Sequence, residues 1–293
     1  MAASPPRPSG VTMSAITVTT RPDGVAVLTF DQPGGKANVL TRDLWAEFGD
    51  ALTALMPRTD VKGLVLASAK PGVFIAGADL KLLANAPAPN DPDVRAFIEQ
   101  GLRVLEQLEA LPFPTCAAID GAALGGGLEV ALACDFRVCG TNPKVQLGLP
   151  EVKLGLIPGW GGTQRLPRIV GHSITADMLT TGKALSRDEA YHTGLTEIAS
   201  SEGLLDWAGP FTVSARCDRN FRKQPMIPPK ALGEAMPEPE GAVAAREALR
   251  VLLEGTLLPL HEGIKLETEA FMRLAGSDES KRLIAEFFAG RKK

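Results

Sequence analysis

The chain has 293 residues, of which 45% are hydrophobic and 22% charged, and its formal net charge is −3. These values are ordinary for a globular protein of one large domain or two modest ones, and they give no reason to expect nucleic acid as a partner. No uncharged apolar run is long enough to span a membrane, and the first ten residues lack the apolar core of a signal peptide. We therefore expect a cytoplasmic protein.

The cysteines and histidines predict no metal site. No cysteine pair has C-x-x-C spacing, and only three histidines are present. Cys116, Cys134 and Cys139 lie in apolar runs, so we expect buried thiols in a reducing compartment.

The first elements follow a predicted disordered tail over residues 1–14. Two strands, Ile16–Thr20 and Val25–Phe30, flank a turn that contains Asp-Gly. Helical spacing of apolar residues predicts a helix from Thr41, its N-cap, to Met56. The elements predicted next are a strand at 63–67, a strand ending within 74–79, a helix at 94–111, a strand at 115–119 and a helix opening at 126–134. Strands that alternate with helices imply an α/β layered core, which we assign to residues 15–209.

The sequence changes in character after Gly209. We predict a proline-rich linker over residues 210–240 and a C-terminal helical region over 241–293. That region contains three predicted helices, at 242–253, 257–274 and 279–288. Within the core, the loop 84–92 has no core-forming pattern and is either a mobile lid or a plain surface excursion.

A glycine-rich turn connects the strand at 115–119 to the following helix. Successive glycines leave backbone N–H groups uncovered, and a helix N-terminus adds partial positive charge, so this turn predicts an anion-stabilising site. A phosphate cradle and an oxyanion hole are the two alternatives. The phosphate cradle is the weaker one, because the sequence has neither G-x-G-x-x-G nor G-x-x-x-x-G-K-[ST]. The turn at Gly77-Ala78 could supply a second oxyanion donor.

Two glutamates lie close to glycine-rich segments. Glu129 falls in the first turn of a helix among apolar neighbours, and it is either a buried functional carboxylate or an exposed one that complements the helix dipole. Glu151 follows Pro150 and by itself would be a surface residue at a turn. Its combination with Ala78, the triple glycine and Glu129 favours a functional role for both.

These segments resemble the signature blocks of the enoyl-CoA hydratase/isomerase (crotonase) family. The three blocks, in the family's order, are 74–81, 123–129 and 150–166, and 181–197 resembles the family's next segment. The resemblance covers about residues 15–205, and several spaced blocks must coincide to produce it. It implies an α/β fold, a crotonase-type spiral of ββα units, followed here by the C-terminal helical region.

Within the family, the chain looks closest to the hydratase part of multifunctional fatty-acid oxidation alpha subunits. The interval from Glu129 to Glu151 is similar to that branch, and so are the helical stretches 259–269 and 280–288. The resemblance implies a role in β-oxidation and a homo-oligomer, either a trimer or a hexamer. It leaves open a separate 3-hydroxyacyl-CoA dehydrogenase as partner.

The resemblance also implies roles for individual residues. The N–H groups of Ala78 and Gly126 would bind the thioester oxygen, and Gly159 would help to position water or substrate. Glu129 would activate the water that attacks Cβ and Glu151 would protonate Cα, although the two roles could be reversed or shared. The residues expected to contact coenzyme A are Lys36, Ala37 and Lys81. Coenzyme A is part of the substrate, so no separate cofactor is implied.

The leading expectation is hydration of trans-2-enoyl-CoA to 3-hydroxyacyl-CoA. The alternatives are enoyl-CoA delta-isomerisation or another crotonase-type acyl-CoA reaction, and a non-catalytic acyl-CoA-binding assembly subunit. Retention of both Glu129 and Glu151 favours the hydratase. Trp160 stands where the family usually has a smaller residue, which leaves the shape of the acyl pocket open.

Overall fold

The computed structural model of the protein describes residues 14–220, 223–226 and 243–290. The strands are β1 (Ile16–Thr20), β2 (Val25–Phe30), β3 (Gly63–Ser68), β4 (Gly72–Ile75), β5 (Thr115–Ile119), β6 (Gly121–Leu124), β7 (Phe136–Cys139), β8 (Gln146–Gly148), β9 (Ala184–Ser186) and β10 (Glu197–Ile198). The helices are α1 (Arg42–Leu55), α2 (Leu80–Ala84), α3 (Pro92–Glu109), α4 (Gly126–Ala133), α5 (Gly162–Arg165), α6 (Pro167–Val170), α7 (His172–Thr181), α8 (Arg187–His192), α9 (Leu204–Ser214), α10 (Val243–Thr256), α11 (Leu260–Leu274) and α12 (Asp278–Gly290). A 3₁₀ helix covers Pro150–Leu154.

The strands form two sheets. One has the order β1-β2-β3-β5-β7-β10, and the other has the order β4-β6-β8-β9. Only β1 and β9 run antiparallel to their neighbours. From β3 to β8, successive strands alternate between the two sheets, and the pairs β3-β4, β5-β6 and β7-β8 are each followed by helical structure. This repetition confirms the predicted α/β spiral of ββα units with C-terminal helices.

The second sheet determines where the site forms. Its strands β4, β6 and β8 are parallel neighbours, with Ile75 opposite Ala123 and Leu124 opposite Gly148. The chain therefore leaves all three strands at the same edge, which is where ligands usually bind in parallel sheets. The residues that follow β4, β6 and β8 are the segments of Ala78, Gly126 and Glu151.

The C-terminal helices cover this edge. The loop over 84–92 is held against them, because the Asn90 N–H donates to the Met272 carbonyl at 2.8 Å and Lys281 Nζ donates to the Pro87 carbonyl at 2.6 Å. Helix α9 continues through Pro210 to Ser214, so the boundary predicted at Gly209 falls inside a helix. The predicted tail, apart from Ser14, and most of the predicted linker lie outside the described residues.

The predicted N-cap of α1 and the predicted burial of three cysteines are both confirmed. Thr41 caps α1 by accepting the Leu44 N–H, as predicted. Cys116, Cys134 and Cys139 are buried. Across the described ranges, every helix is too short or too polar to cross a membrane.

Asn38 is a buried polar residue that fixes the approach to the site. Its Nδ2 donates to the carbonyls of Phe30 and Phe74 and to Ser68 Oγ, at 3.3, 3.0 and 3.0 Å. Its Oδ1 accepts the Gln32 N–H at 2.9 Å. One side chain thus joins β2, β3 and β4 just before the chain enters the Gly77-Ala78 turn.

Asn38→Ala should lower the free energy of unfolding by about 2–4 kcal/mol, because buried backbone groups lose their partners and a cavity remains. Urea denaturation measures the difference. Asn85→Ala, at an exposed asparagine, is the control and should change stability by less than about 0.5 kcal/mol. Equal effects of the two substitutions would contradict the structural role of Asn38.

Candidate active site

A cavity of about 630 Å³ lies at the edge of the second sheet, between the sheet and the C-terminal helices. The predicted site residues that line it are Ala37, Ala78, Lys81, Gly126, Glu129, Glu151 and Gly159. Lys36 is exposed beside it, between two residues that do line it, Gly35 and Ala37. The folded chain therefore gathers segments more than a hundred residues apart into one cavity.

The backbone N–H of Ala78 points away from the adjacent segment that contains Leu40. Ala78 and Leu40 form a parallel bridge, in which the Leu40 N–H donates to the Gly77 carbonyl at 2.9 Å and the Asp79 N–H donates to the Leu40 carbonyl at 3.1 Å. In such a pattern, the amide of the middle residue points to the opposite side. The Ala78 N–H therefore points away from Leu40. Ala78 itself belongs to a segment that lines the cavity.

Gly126 is the first residue of α4, so its N–H has no partner within the helix. The preceding Gly125 has φ of +53°, a left-handed conformation that favours glycine. A Cβ atom on Gly126 would lie 2.5 Å from the Trp160 ring and 2.8 Å from the Leu40 side chain. Only glycine fits here, and the close packing holds the helix N-terminus at the cavity wall.

Glu129 is buried, with 1% of its surface exposed. The alternative of an exposed first-turn carboxylate is therefore wrong. Its Oε1 accepts the N–H groups of Trp160 and Gly162 at 2.7 and 2.8 Å. Two backbone donors thus orient this carboxylate within the cavity.

Glu151 lies in the 3₁₀ helix that follows β8. The residue as a whole is half-buried, but its Oε2 is covered and has no hydrogen-bond partner among the described residues. Its Oε1 approaches the turn before α4, since a Cβ on Gly125 would stand 2.7 Å from it. The Glu151 carboxylate is therefore adjacent to the N-terminus of α4.

Glu267, on α11, is a third buried carboxylate, which the sequence analysis missed. It is fully buried, and it accepts the N–H groups of Gly161 and Thr163 at 2.5 and 2.8 Å and the Thr163 hydroxyl at 2.5 Å. Its position in the helix could have identified it, because Glu267 falls on the buried face of α11, in line with Leu260, Gly263 and Leu274.

Burial raises the pKa values of all three carboxyl groups. For Glu129, loss of solvation is the largest cause, and repulsion by Glu267 and Glu151 adds to it. Loss of solvation also raises the pKa of Glu151 to about 8, with further repulsion from Glu267. The pKa of Glu267 rises to about 7 for the same first reason, although hydrogen bonds from Thr163 and Gly161 and the nearby Arg165 oppose the rise.

Three exposed lysines surround the opening. Lys36 and Lys81 were predicted from the sequence, and Lys153, which follows Glu151 in the 3₁₀ helix and also lines the cavity, was not. Each is a cation on a flexible stem, suited to a phosphate group in solvent. The described residues contain no cluster of His, Cys, Asp or Glu side chains that could hold a metal ion.

Trp160 forms part of the cavity wall. Its ring makes edge-to-face contacts with Trp45 and Phe97, with centroids 5.1 and 5.3 Å apart, and its Nε1 donates to the Ile98 carbonyl at 3.0 Å. The ring also abuts Gly126. The large residue is therefore accommodated by packing between α1, α3 and α4.

Comparison with known proteins gives consistent matches. The sequence model described as "Enoyl-CoA hydratase/isomerase" matches residues 20–208. Over 188 residues the chain is 48% identical to the "Fatty acid oxidation complex subunit alpha" of Shewanella halifaxensis. The matched stretch covers 64% of this chain and 26% of that protein. The chain thus spans about a quarter of the length of this curated relative.

Solved structures match over nearly the whole chain. An enoyl-CoA hydratase from Bacillus anthracis is 29% identical, with a TM-score of 0.63 over 96% of this chain and 97% of its own. The human mitochondrial delta3-delta2-enoyl-CoA isomerase is 23% identical, with a TM-score of 0.71 over 95% of this chain and 98% of its own. The second likeness concerns the fold alone.

The raised pKa of Glu151 predicts a pH-dependent stability. The folded protein holds this proton more tightly than the unfolded chain, so the contribution of Glu151 is complete below pH 4.5 and is lost as the pH rises to about 8. Glu151→Gln does not ionise. It should therefore exceed the wild type in free energy of unfolding by on the order of 1–3 kcal/mol near pH 9, and by much less near pH 5.

Urea denaturation at both pH values measures this difference. Glu106→Gln, at an exposed position of α3, is the control and should show no such dependence. A Glu151→Gln effect of equal size at both pH values would contradict a raised pKa in the folded state.

Proposed function

Because this chain belongs to the enoyl-CoA hydratase/isomerase family, we propose that it hydrates trans-2-enoyl-CoA to 3-hydroxyacyl-CoA in fatty-acid β-oxidation. The observation that carries the proposal is the presence of two carboxylates, Glu129 and Glu151, in one cavity with the amides of Ala78 and Gly126. Water addition needs a base for the water, an acid for Cα and a site for the thioester oxyanion. The cavity offers a group for each.

The thioester oxygen would bind between the N–H groups of Ala78 and Gly126. Both amides belong to rigid backbone at the edge of a sheet, so little reorganisation is needed as charge develops on the oxygen. Loss of one such donor typically lowers a rate by about 10²–10³-fold. A phosphate at the same place is disfavoured, because Glu129, to which we assign a negative charge, lines the same cavity and would repel it.

Hydrogen bonding supports a division of labour between the glutamates. Glu129 Oε1 accepts two backbone N–H groups, which stabilise its ionised form, whereas Glu151 Oε2 accepts no hydrogen bond from the described part of the chain. Since repulsion prevents both from ionising easily, we assign the negative charge to Glu129 and the proton to Glu151. Glu129 then takes a proton from the water that attacks Cβ, and Glu151 gives its proton to Cα. A proton must pass from Glu129 back to Glu151 before the next turnover.

Isomerisation of the double bond is the alternative activity of this family. It moves a proton between two carbons of one substrate and therefore needs mainly one carboxyl group, for which Glu151 is the candidate. The burial and double hydrogen bonding of Glu129 favour hydration, because an isomerase has no water to activate. A non-catalytic acyl-CoA-binding subunit would have no need for either buried carboxylate.

Coenzyme A would enter as part of the substrate, with Ala37 against it and its phosphates near Lys36, Lys81 and Lys153. Gly159, on the same wall as Trp160 and Phe271, would help to position the water or the acyl group. We propose a separate 3-hydroxyacyl-CoA dehydrogenase as the partner that would take up the product. We also propose a homo-oligomer, a trimer or a hexamer, in the cytoplasm.

The direct test is loss of the enoyl absorbance when the purified protein meets crotonyl-CoA and longer trans-2-enoyl-CoA esters. Glu129→Gln should lower kcat for hydration by about 10²–10⁴-fold, because the water loses its base. It should lower isomerisation of 3-enoyl-CoA far less. Glu106→Gln serves as the control and should retain the wild-type rates.

Two results would overturn these assignments. The hydratase proposal fails if the wild type binds CoA esters but turns over none of them at any chain length. The division of labour fails if Glu129→Gln reduces hydration and isomerisation equally.

The lysines predict a separate effect on binding. Lys36→Ala and Lys81→Ala should each raise KM for crotonyl-CoA by about 3–10-fold at low ionic strength, with kcat nearly unchanged, because one phosphate contact is lost. The effect should shrink as salt is added. Lys265→Ala, at a lysine of α11 that pairs with Glu262, is the matched control. A lowered kcat without a change in KM would place these lysines outside the CoA site.

A further inference from the structure

Four consecutive backbone amides are divided between two buried carboxylates. The N–H groups of Trp160 and Gly162 donate to Glu129, and those of Gly161 and Thr163 donate to Glu267. Glu129 comes from α4 in the core, whereas Glu267 comes from α11. The segment 160–163 therefore lies between the two carboxylates and is bonded to both in alternation.

We propose that Glu267 is a positioning residue for Glu129, which holds the segment 160–163 in the conformation that directs the Trp160 and Gly162 amides at Glu129 Oε1. The inference rests on the proposed hydratase function. Glu267 is not among the residues that line the cavity. Its effect on the reaction would be indirect, through the backbone.

The conformation of the segment needs such support. Gly161 has φ of +94°, and a Cβ there would lie 1.9 Å from Arg165 Nη1. Arg165 itself donates from Nη1 to the Trp160 carbonyl at 2.6 Å and pairs with Glu109 through Nε at 2.8 Å. Rotation of the peptide between residues 160 and 161 would break the bonds to Glu267 and Arg165 together. Both contacts thus keep the Trp160 and Gly162 amides turned towards Glu129.

A buried glutamate at position 267 would lower the free energy of unfolding if its carboxylate did not bond to the segment 160–163. A carboxylate loses its hydration in a protein core, and here it also lies near the like charge of Glu129, with Arg165 as the nearby cation. An apolar side chain at position 267 would leave the N–H groups of Gly161 and Thr163 without partners. The two oxygens of the Glu267 carboxylate accept both amides and the Thr163 hydroxyl.

Helix α11 is placed so that Glu267 reaches the segment. The helix passes close to Gln164, since a Cβ on Gly263 would lie 2.4 Å from Gln164 Oε1. Glu267 lies one helical turn beyond Gly263. This helix falls outside residues 20–208, which carry the family match. Through Glu267, the C-terminal helical region would thus act on catalysis by way of a group that does not touch the substrate.

The test begins with Glu267→Gln, which keeps the shape of the side chain but turns one acceptor into a donor facing an N–H group. We expect kcat for crotonyl-CoA hydration to fall at least about tenfold, with KM within about twofold of wild type. Glu269→Gln is the matched control, because Glu269 lies on the same helix but faces solvent and pairs with Arg95. It should keep the wild-type kcat. An unchanged kcat in Glu267→Gln would overturn the proposal.

Milder variants cover the case in which Glu267→Gln does not fold. Thr163→Val removes the hydroxyl bond to Glu267, together with the bond that Thr163 Oγ1 accepts from Gln164 Nε2 at 3.0 Å. It should lower kcat by about two- to fivefold, and Thr163→Ser should restore it. A Thr163→Val enzyme with wild-type kcat, or a Thr163→Ser enzyme as impaired as Thr163→Val, would count against the proposal.

A double-mutant cycle separates positioning from a general structural effect. If Glu267 acts through Glu129, its replacement has little left to damage once Glu129 is glutamine, so Glu129→Gln/Glu267→Gln should be within about twofold of Glu129→Gln. Multiplied losses of rate would show that Glu267 acts independently of Glu129.

Hydrogen exchange supplies a readout that does not depend on turnover. Amides in a peptide covering 158–166 should exchange faster in Glu267→Gln than in the wild type, while Glu269→Gln should match the wild type. Unchanged exchange in Glu267→Gln would overturn the positioning role. Failure of the wild type to hydrate any ester would instead overturn the proposed function, and the exchange result would still decide whether Glu267 holds the segment.

Discussion

The site depends on the backbone segment 160–163, whose amides bond alternately to Glu129 and Glu267. This segment joins an element of the core, α4, to a helix of the C-terminal region, α11. It also places the Trp160 ring against Gly126, the first residue of α4. The segment 160–163 therefore holds the Glu129 carboxylate, the N-terminus of α4 and the cavity wall in place. A shift of this segment would change all three at once.

Three buried carboxylates in so small a volume oppose folding. Loss of solvation raises their pKa values, and repulsion adds to the rise for Glu129 and Glu151. The nearby cation Arg165, together with four backbone amides, offsets the cost in part. The same environment has a chemical use. A carboxyl group with a pKa near neutrality can both give and take a proton at physiological pH, which an ordinary exposed glutamate does poorly. Reactivity and reduced stability thus have one physical origin.

Sequence patterns predicted the layered α/β class and the segments at the edge of the second sheet, but not β6 itself, which lies where a glycine-rich turn was expected. Glycine-rich turns, helical spacing and the order of the blocks led to Ala78, Gly126, Glu129 and Glu151. Glu267 could have been suspected as a charge on the apolar face of a helix, but its partner Thr163 is 104 positions away, and no local pattern predicts that pairing. The boundary predicted after Gly209 falls inside α9, because the change in composition there does not coincide with the end of the helix at Ser214.

The division into a catalytic core and a helical appendage does not describe how this site is built. The C-terminal helices contribute Phe271, Phe287 and Phe288 to the lining of the cavity. From the same region, Glu267 accepts the Gly161 N–H and so holds the segment 160–163. A core without these helices would expose the amides of Gly161 and Thr163 and leave one side of the cavity open to water. Since the electrostatic effects on which acid–base chemistry relies weaken as water enters, the C-terminal helices would contribute to the proposed reactivity of Glu129 as well as to the packing of the fold.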